Sequence, residues 1–141
     1  MAVRVRLRVR SKRSGRSVDL IVLANGGAES TRPCIVVDED VARSLGLWPS
    51  GDFKVHRVKE VSSISEAYVM EGSVELELLG GHDELLSSVV ADLVVQKGLM
   101  EPLITDITID ELGIQVVSFG KGLWRHRDDP PDKVRQSARR P

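Results

Sequence analysis

Ile21-Val22-Leu23-Ala24-Asn25-Gly26-Gly27-Ala28-Glu29 runs from four consecutive apolar residues straight into an amide and two glycines. An apolar run bounded by turn residues marks a buried strand. Two glycines in succession permit backbone shapes that a Cβ forbids, so a tight loop follows the strand at once. Upstream, Val18–Ala24 is apolar apart from Asp19, and residues 2–10 alternate strictly. Val3, Val5, Leu7 and Val9 fall on one face of an extended chain, and Arg4, Arg6, Arg8 and Arg10 on the other. The polar stretch Ser11 to Ser17, with Gly15 inside it, joins these two segments into a hairpin.

Downstream, Cys34–Val37 reads as another short strand. Asp38 through Gly46 reads as one or two helical turns, with Asp38 as N-cap, acids in the first turn and Gly46 past the end. Trp48-Pro49-Ser50-Gly51 is a turn. Residues 53–61 and 65–79 read as strands joined near Ser62-Ser63, and Gly80-Gly81-His82-Asp83 is the next turn before the apolar run Leu85–Val95. Leu103-Ile104 is a short buried strand, and Thr105 through Gly113 a second capped helix with a glycine stop. Ile114–Phe119 is a strand, and Gly120-Lys121-Gly122 turns the chain into Leu123-Trp124. From Arg127 onward, two prolines and dense charge predict a disordered tail. Val41-Ala42-Arg43-Ser44-Leu45-Gly46-Leu47 is echoed by Ile107-Thr108-Ile109-Asp110-Glu111-Leu112-Gly113-Ile114. Both pass from a short helix through Leu-Gly into an apolar residue, which suggests a duplicated unit of strand, loop, strand and helix.

Composition agrees with an all-β class. The chain has 141 residues, the usual size of one domain, and its apolar content is dominated by 20 valines against five aromatic residues. One cysteine, Cys34, excludes an internal disulfide and a cysteine-rich metal site. No apolar run reaches the roughly 18 residues of a membrane span, and the N-terminus lacks a signal-peptide core, so a cytoplasmic protein without membrane contact is expected. Charge is segregated: residues 1–16 sum to +7, residues 125–141 to +3, and the body between them to −11. Basic ends that dock on an acidic neighbouring subunit would fit a homodimer.

The order strand, small loop, strand, Val-Ala-Arg-Ser-Leu-Gly-Leu resembles the retropepsin-like aspartic proteases. In that family an apolar strand leads into Asp-Thr/Ser-Gly-Ala. Here Ile21–Ala24 leads into Asn25-Gly26-Gly27-Ala28-Glu29. The second family landmark resembles Leu103-Ile104-Thr105-Asp106 through Leu112-Gly113-Ile114, and the similarity covers roughly residues 17–126. The resemblance implies a closed retropepsin-like β-barrel (the acid-protease fold) with one or two short helices. Residues 1–16 would add a basic strand to the domain and residues 127–141 a tail. It also implies a homodimer, with an extended peptide held between a flap hairpin at roughly 53–71 and the active-site floor. Asn25 occupies the position of the catalytic aspartate, Gly26 that of Thr/Ser, Gly27 that of the invariant glycine and Ala28 that of the alanine. Glu29 matches an acid that the family pairs with a base in the second motif, but Asp106 stands there, and Thr105 replaces a glycine.

An amide has no titrating oxygen at physiological pH, so it cannot share the dyad's proton or activate water. The expectation is an inactive pseudo-protease that binds peptides or proteins, or serves as a scaffold, without a cofactor. The alternative within the family is an aspartic endopeptidase working through Glu29 or Asp106. A third class is nucleic-acid binding, with Arg4, Arg6, Arg8 and Arg10 as phosphate contacts. No aromatic residue interleaves with them as a base-stacking platform requires, and a charged strand face that discourages edge pairing accounts for them as well. Asn25-Gly26 is prone to deamidation, which would restore an acid, although a hydrogen-bonded loop resists it. His56, His82 and His126 lack metal-ligand spacing and read as surface residues; no metal is expected. Cys34 reads as a buried small hydrophobe, and Trp48 and Trp124 as core or interface anchors. Ser30 and Thr31 lack a nearby His to serve as base.

Overall fold

The alternation of residues 2–10 becomes β1 (Arg4–Ser11), with Val3, Val5, Leu7 and Val9 buried and the arginines outward. A computed structural model describes residues 2–59 and 64–139. β1 pairs antiparallel with β2 (Ser17–Ala24), Val5 opposite Val22 and Leu7 opposite Leu20, so the expected hairpin forms. Next come β3 (Cys34–Val37) and α1 (Glu39–Ser44). The Asp38 carboxylate accepts from Val41 N–H at 3.0 Å, which caps α1, and Gly46 leaves the helix at φ +73°.

β4 (Lys54–Lys59), β5 (Ile64–Leu79) and β6 (Leu85–Gln96) follow. The turn expected near Ser62-Ser63 lies outside the described residues. β7 (Leu103–Ile104), α2 (Asp106–Glu111), β8 (Ile114–Ser118), β9 (Leu123–His126) and β10 (Arg135–Gln136) complete the chain.

Seven strands share one sheet in the order β1-β2-β7-β3-β6-β5-β4, and β1 also pairs with β5, so six of them close into a ring with β4 outside. Residues of alternating parity fill the interior, among them Leu7, Val22, Ile35, Leu76, Leu93 and Ile104. Each such side chain contributes about 1.5–3 kcal/mol when removed from water. The fold is therefore mostly β with two short helices, as valine content predicts.

The echo in the sequence has a spatial counterpart. β2, which precedes the first loop, runs parallel to β7, which precedes α2. β6, which precedes the second loop, runs parallel to β3, which precedes α1. β3 and β7 meet antiparallel between them. The strand–loop–strand–helix halves thus exchange partners.

Two expectations from the C-terminal sequence are corrected. Residues 127–139 are not a free tail. Arg135 makes a two-pronged ion pair with Asp129, both N···O distances 2.8 Å, and both side chains are largely buried. β10 pairs with β9, and Ala138 N–H donates to the Arg4 carbonyl at 2.9 Å. Low hydrophobicity predicts disorder only where polar groups lack partners, and here a charge pair and strand pairing supply them. His126 is likewise not a surface residue: it is 2 % exposed. It alternates with Trp124 on the inward face of β9, a strand longer than Leu123-Trp124 suggested.

Candidate functional site

The loop after β2 is held from three sides by backbone bonds. Ala24 N–H donates to Val3 C=O at 3.0 Å, and Asn25 N–H to Ile104 C=O at 3.1 Å. Asp106 N–H reaches the Ala28 carbonyl at 2.8 Å, which ties the first loop to the start of α2. Within the loop, Ala28 N–H donates to Asn25 C=O, and Gly27 N–H to Asn25 Oδ1 at 3.2 Å. The Asn25 side chain therefore closes its own turn, as asparagine does in loops. That bond also opposes the rearrangement that deamidation needs.

The two motifs separated by about 80 residues in sequence do meet. Asp106 Oδ1 accepts from Ser30 N–H at 3.2 Å and from Ile107 N–H at 2.7 Å. Beneath them lies a hydroxyl cluster. Thr105 Oγ1 is 2.6 Å from Ser30 Oγ and 2.8 Å from Thr108 Oγ1, and Cys34 N–H donates to Thr108 Oγ1 at 2.9 Å. Thr105 occupies the N-cap position of α2 without a side-chain cap bond, because its hydroxyl is directed into this cluster. Cys34 Sγ sits 3.7 Å from Thr105 Oγ1, and burial pushes its thiol up, the opposite of a nucleophile's setting.

Asn25, Gly26 and Gly27 line an open hollow of about 510 Å³ together with Ala2, Leu23, Ala24 and Phe119. Among the described residues, no carboxylate lines it. Glu29 is exposed beside the loop. Phe119 is 56 % exposed and lies 4.0 Å from where a Cβ at Gly26 would stand. Sequence reading takes Phe119 only as the end of a strand, because its approach to the loop spans more than 90 residues of chain. Ser30 and Thr108 escape as structural polar groups for the same reason.

The arginine comb of β1 is neutralised one residue at a time. Arg4 Nε pairs with Glu101 at 3.0 Å, Arg8 Nε with Asp19 at 2.9 Å and Arg10 Nη2 with Glu77 at 3.1 Å, while Arg6 pairs with Asp83. Asp19 and Glu77 stand opposite the comb on β2 and β5, so the strands flanking β1 bring acids to its basic face. Among the described residues, no group of three or more His, Cys, Asp or Glu side chains is arranged to hold a metal ion. No described helix is long and apolar enough to cross a membrane.

No protein-family model matches this chain, and no curated protein matches it either.

Proposed function

We propose that the chain is a retropepsin-like subunit in which Asn25 replaces the catalytic acid, and that it works as a homodimer in peptide or protein binding or as a scaffold. One observation carries this reading: among the described residues, the hollow at the end of β2 is lined by an amide, two glycines and apolar side chains, with no carboxylate. An aspartic dyad needs two carboxyls that share one proton, so that one activates water while the other donates. An amide donates and accepts hydrogen bonds but cannot exchange that proton. Gly26 also lacks the hydroxyl that the family uses to bond across its dimer.

Neither carboxylate near the loop replaces the missing acid. Asp106 is committed to two backbone N–H groups, and Glu29 does not line the hollow. Phosphate binding by the comb finds no support, since each of its four arginines already faces an acid.

In the dimer, the two Asn25 loops face each other with Phe119 at the rim. The hairpin of β4 and β5 covers the cleft as a flap, although residues 53–71 contain no glycine where family flaps are glycine-rich. Extended peptides bind there through main-chain hydrogen bonds. A peptide array probed with the full chain is the test. Ligands lost on Phe119→Asp are expected; an array without a single binder removes the binding role.

A further inference from the structure

Among the described residues, three strands end a sheet: β4 in the large one, and β8 and β10 in the small one. An open edge offers main-chain groups to any other chain, and folds protect such edges with charge, proline or brevity. β4 carries Lys54, His56, Arg57 and Lys59, and β10 is two residues long, one of them Arg135. β8 has none of these devices. Ile114-Gln115-Val116-Val117-Ser118, with Phe119 after it, is a run without charge, proline or glycine.

The ladder fixes which groups face outward. Arg127 N–H donates to the Gly113 carbonyl at 2.9 Å, and Ile114 stands opposite His126 and Gln115 opposite Arg125. Bonded and non-bonded pairs alternate along an antiparallel ladder, so Gln115 turns its main-chain groups to β9 while Ile114 and Val116 turn theirs away from it. Side chains sort onto the two faces of the strand. Ile114 is buried on the core side, whereas Gln115 and Val117 are exposed on the other, and Phe119 is exposed just beyond. Val117 is 50 % exposed, so a large apolar side chain stands in water beside unpaired main-chain groups. Both features suit a partner that supplies a strand.

We propose that β8 pairs antiparallel with β8 of a second copy of this chain. The strand's own composition selects that occupant. About a two-fold axis at Val116, Ile114 meets Ser118, Gln115 meets Val117 and Val116 meets itself, so the whole strand is paired and no charge opposes a like charge. The same operation on β4 sets Lys54 against Lys59. The two small sheets become one of six strands. Phe119, which approaches Gly26, puts the Asn25 loop beside this contact. The inference deepens the homodimer reading, on which it rests, by assigning the strand through which the copies meet.

Sedimentation and amide exchange of the full chain test it. The unsubstituted chain is expected to dimerise, with the Val116 N–H protected from exchange in concentrated solution and released on dilution. Gln115→Lys with Val117→Lys sets lysines against each other twice across the axis and is expected to weaken the dimer about tenfold. Gln115→Glu with Val117→Lys, at the same exposed positions, sets opposite charges there and is expected to keep it. A chain that stays monomeric at high concentration removes the homodimer reading and this contact together. A dimer whose Val116 N–H exchanges equally fast in dilute and concentrated solution, or whose strength is the same in both variants, leaves the homodimer standing and overturns the β8 contact.

Discussion

Asn25 and an aspartate differ by one terminal group, so Asn25→Asp changes little in shape and everything in titration. Two facing carboxylates in a dimer cannot both ionise, and one is held protonated above its ordinary range. The dimer then binds a proton that the free subunits release, so dissociation of N25D must rise with pH through the acid and neutral range. The proposed dimer of the unsubstituted chain has no such group at position 25, and its association is expected to stay level over the same range. Sedimentation at several pH values measures this, and indistinguishable profiles would show that the two loops do not meet. At this scale the sequence was informative wherever chemistry is local. Asp38 as cap, Gly46 and Gly113 at positive φ, and the Asn25 turn all follow from neighbours a few residues away. Asp106 was legible as a departure from the family pattern but not as the acceptor for Ser30 N–H, because that bond joins residues 76 apart.

Among the elements, the segment after β9 departs most from its composition. Proline and charge predict disorder, yet Asp129 and Arg135 close on each other and carry β10 against β9. The Arg135 guanidinium holds the Asp129 carboxyl well below the usual carboxylate range, with a further bond from His126 N–H. A carboxyl depressed on folding contributes stability that is complete above its unfolded value, about 3.9, and is lost as pH falls toward the folded one. Denaturation by urea should therefore show stability falling below about pH 4, with the fall shallower in Asp129→Asn. That variant also strips Arg135 of its charged, two-pronged partner and is expected to cost about 1.5–3 kcal/mol at neutral pH. A neutral-pH loss near zero would mean that the segment does not hold β1 and β9 in solution. The strands themselves were readable because period-two alternation and valine runs mark them; pairing between charged residues in a proline-rich stretch leaves no periodic trace.

For the whole molecule, the class was visible and the closure was not. Alternation and valine content give strands, but only long-range pairing makes β1 meet both β2 and β5 and closes the ring. The same closure explains the segregated charge. A +7 N-terminal segment wraps onto an acidic body of the same chain, and Asp19, Glu77, Asp83 and Glu101 neutralise the comb internally. Linear charge counts suggest a partner; the fold supplies one from within. In the proposed reading, function rests on the hollow at Asn25, where an amide stands in place of a carboxyl that could transfer a proton. The direct measurement is cleavage of a mixed peptide library by the purified chain, its mass at Asn25 verified, from acid to neutral pH. No product above background is predicted. Cleavage that a carboxylate-directed inhibitor stops would contradict the account.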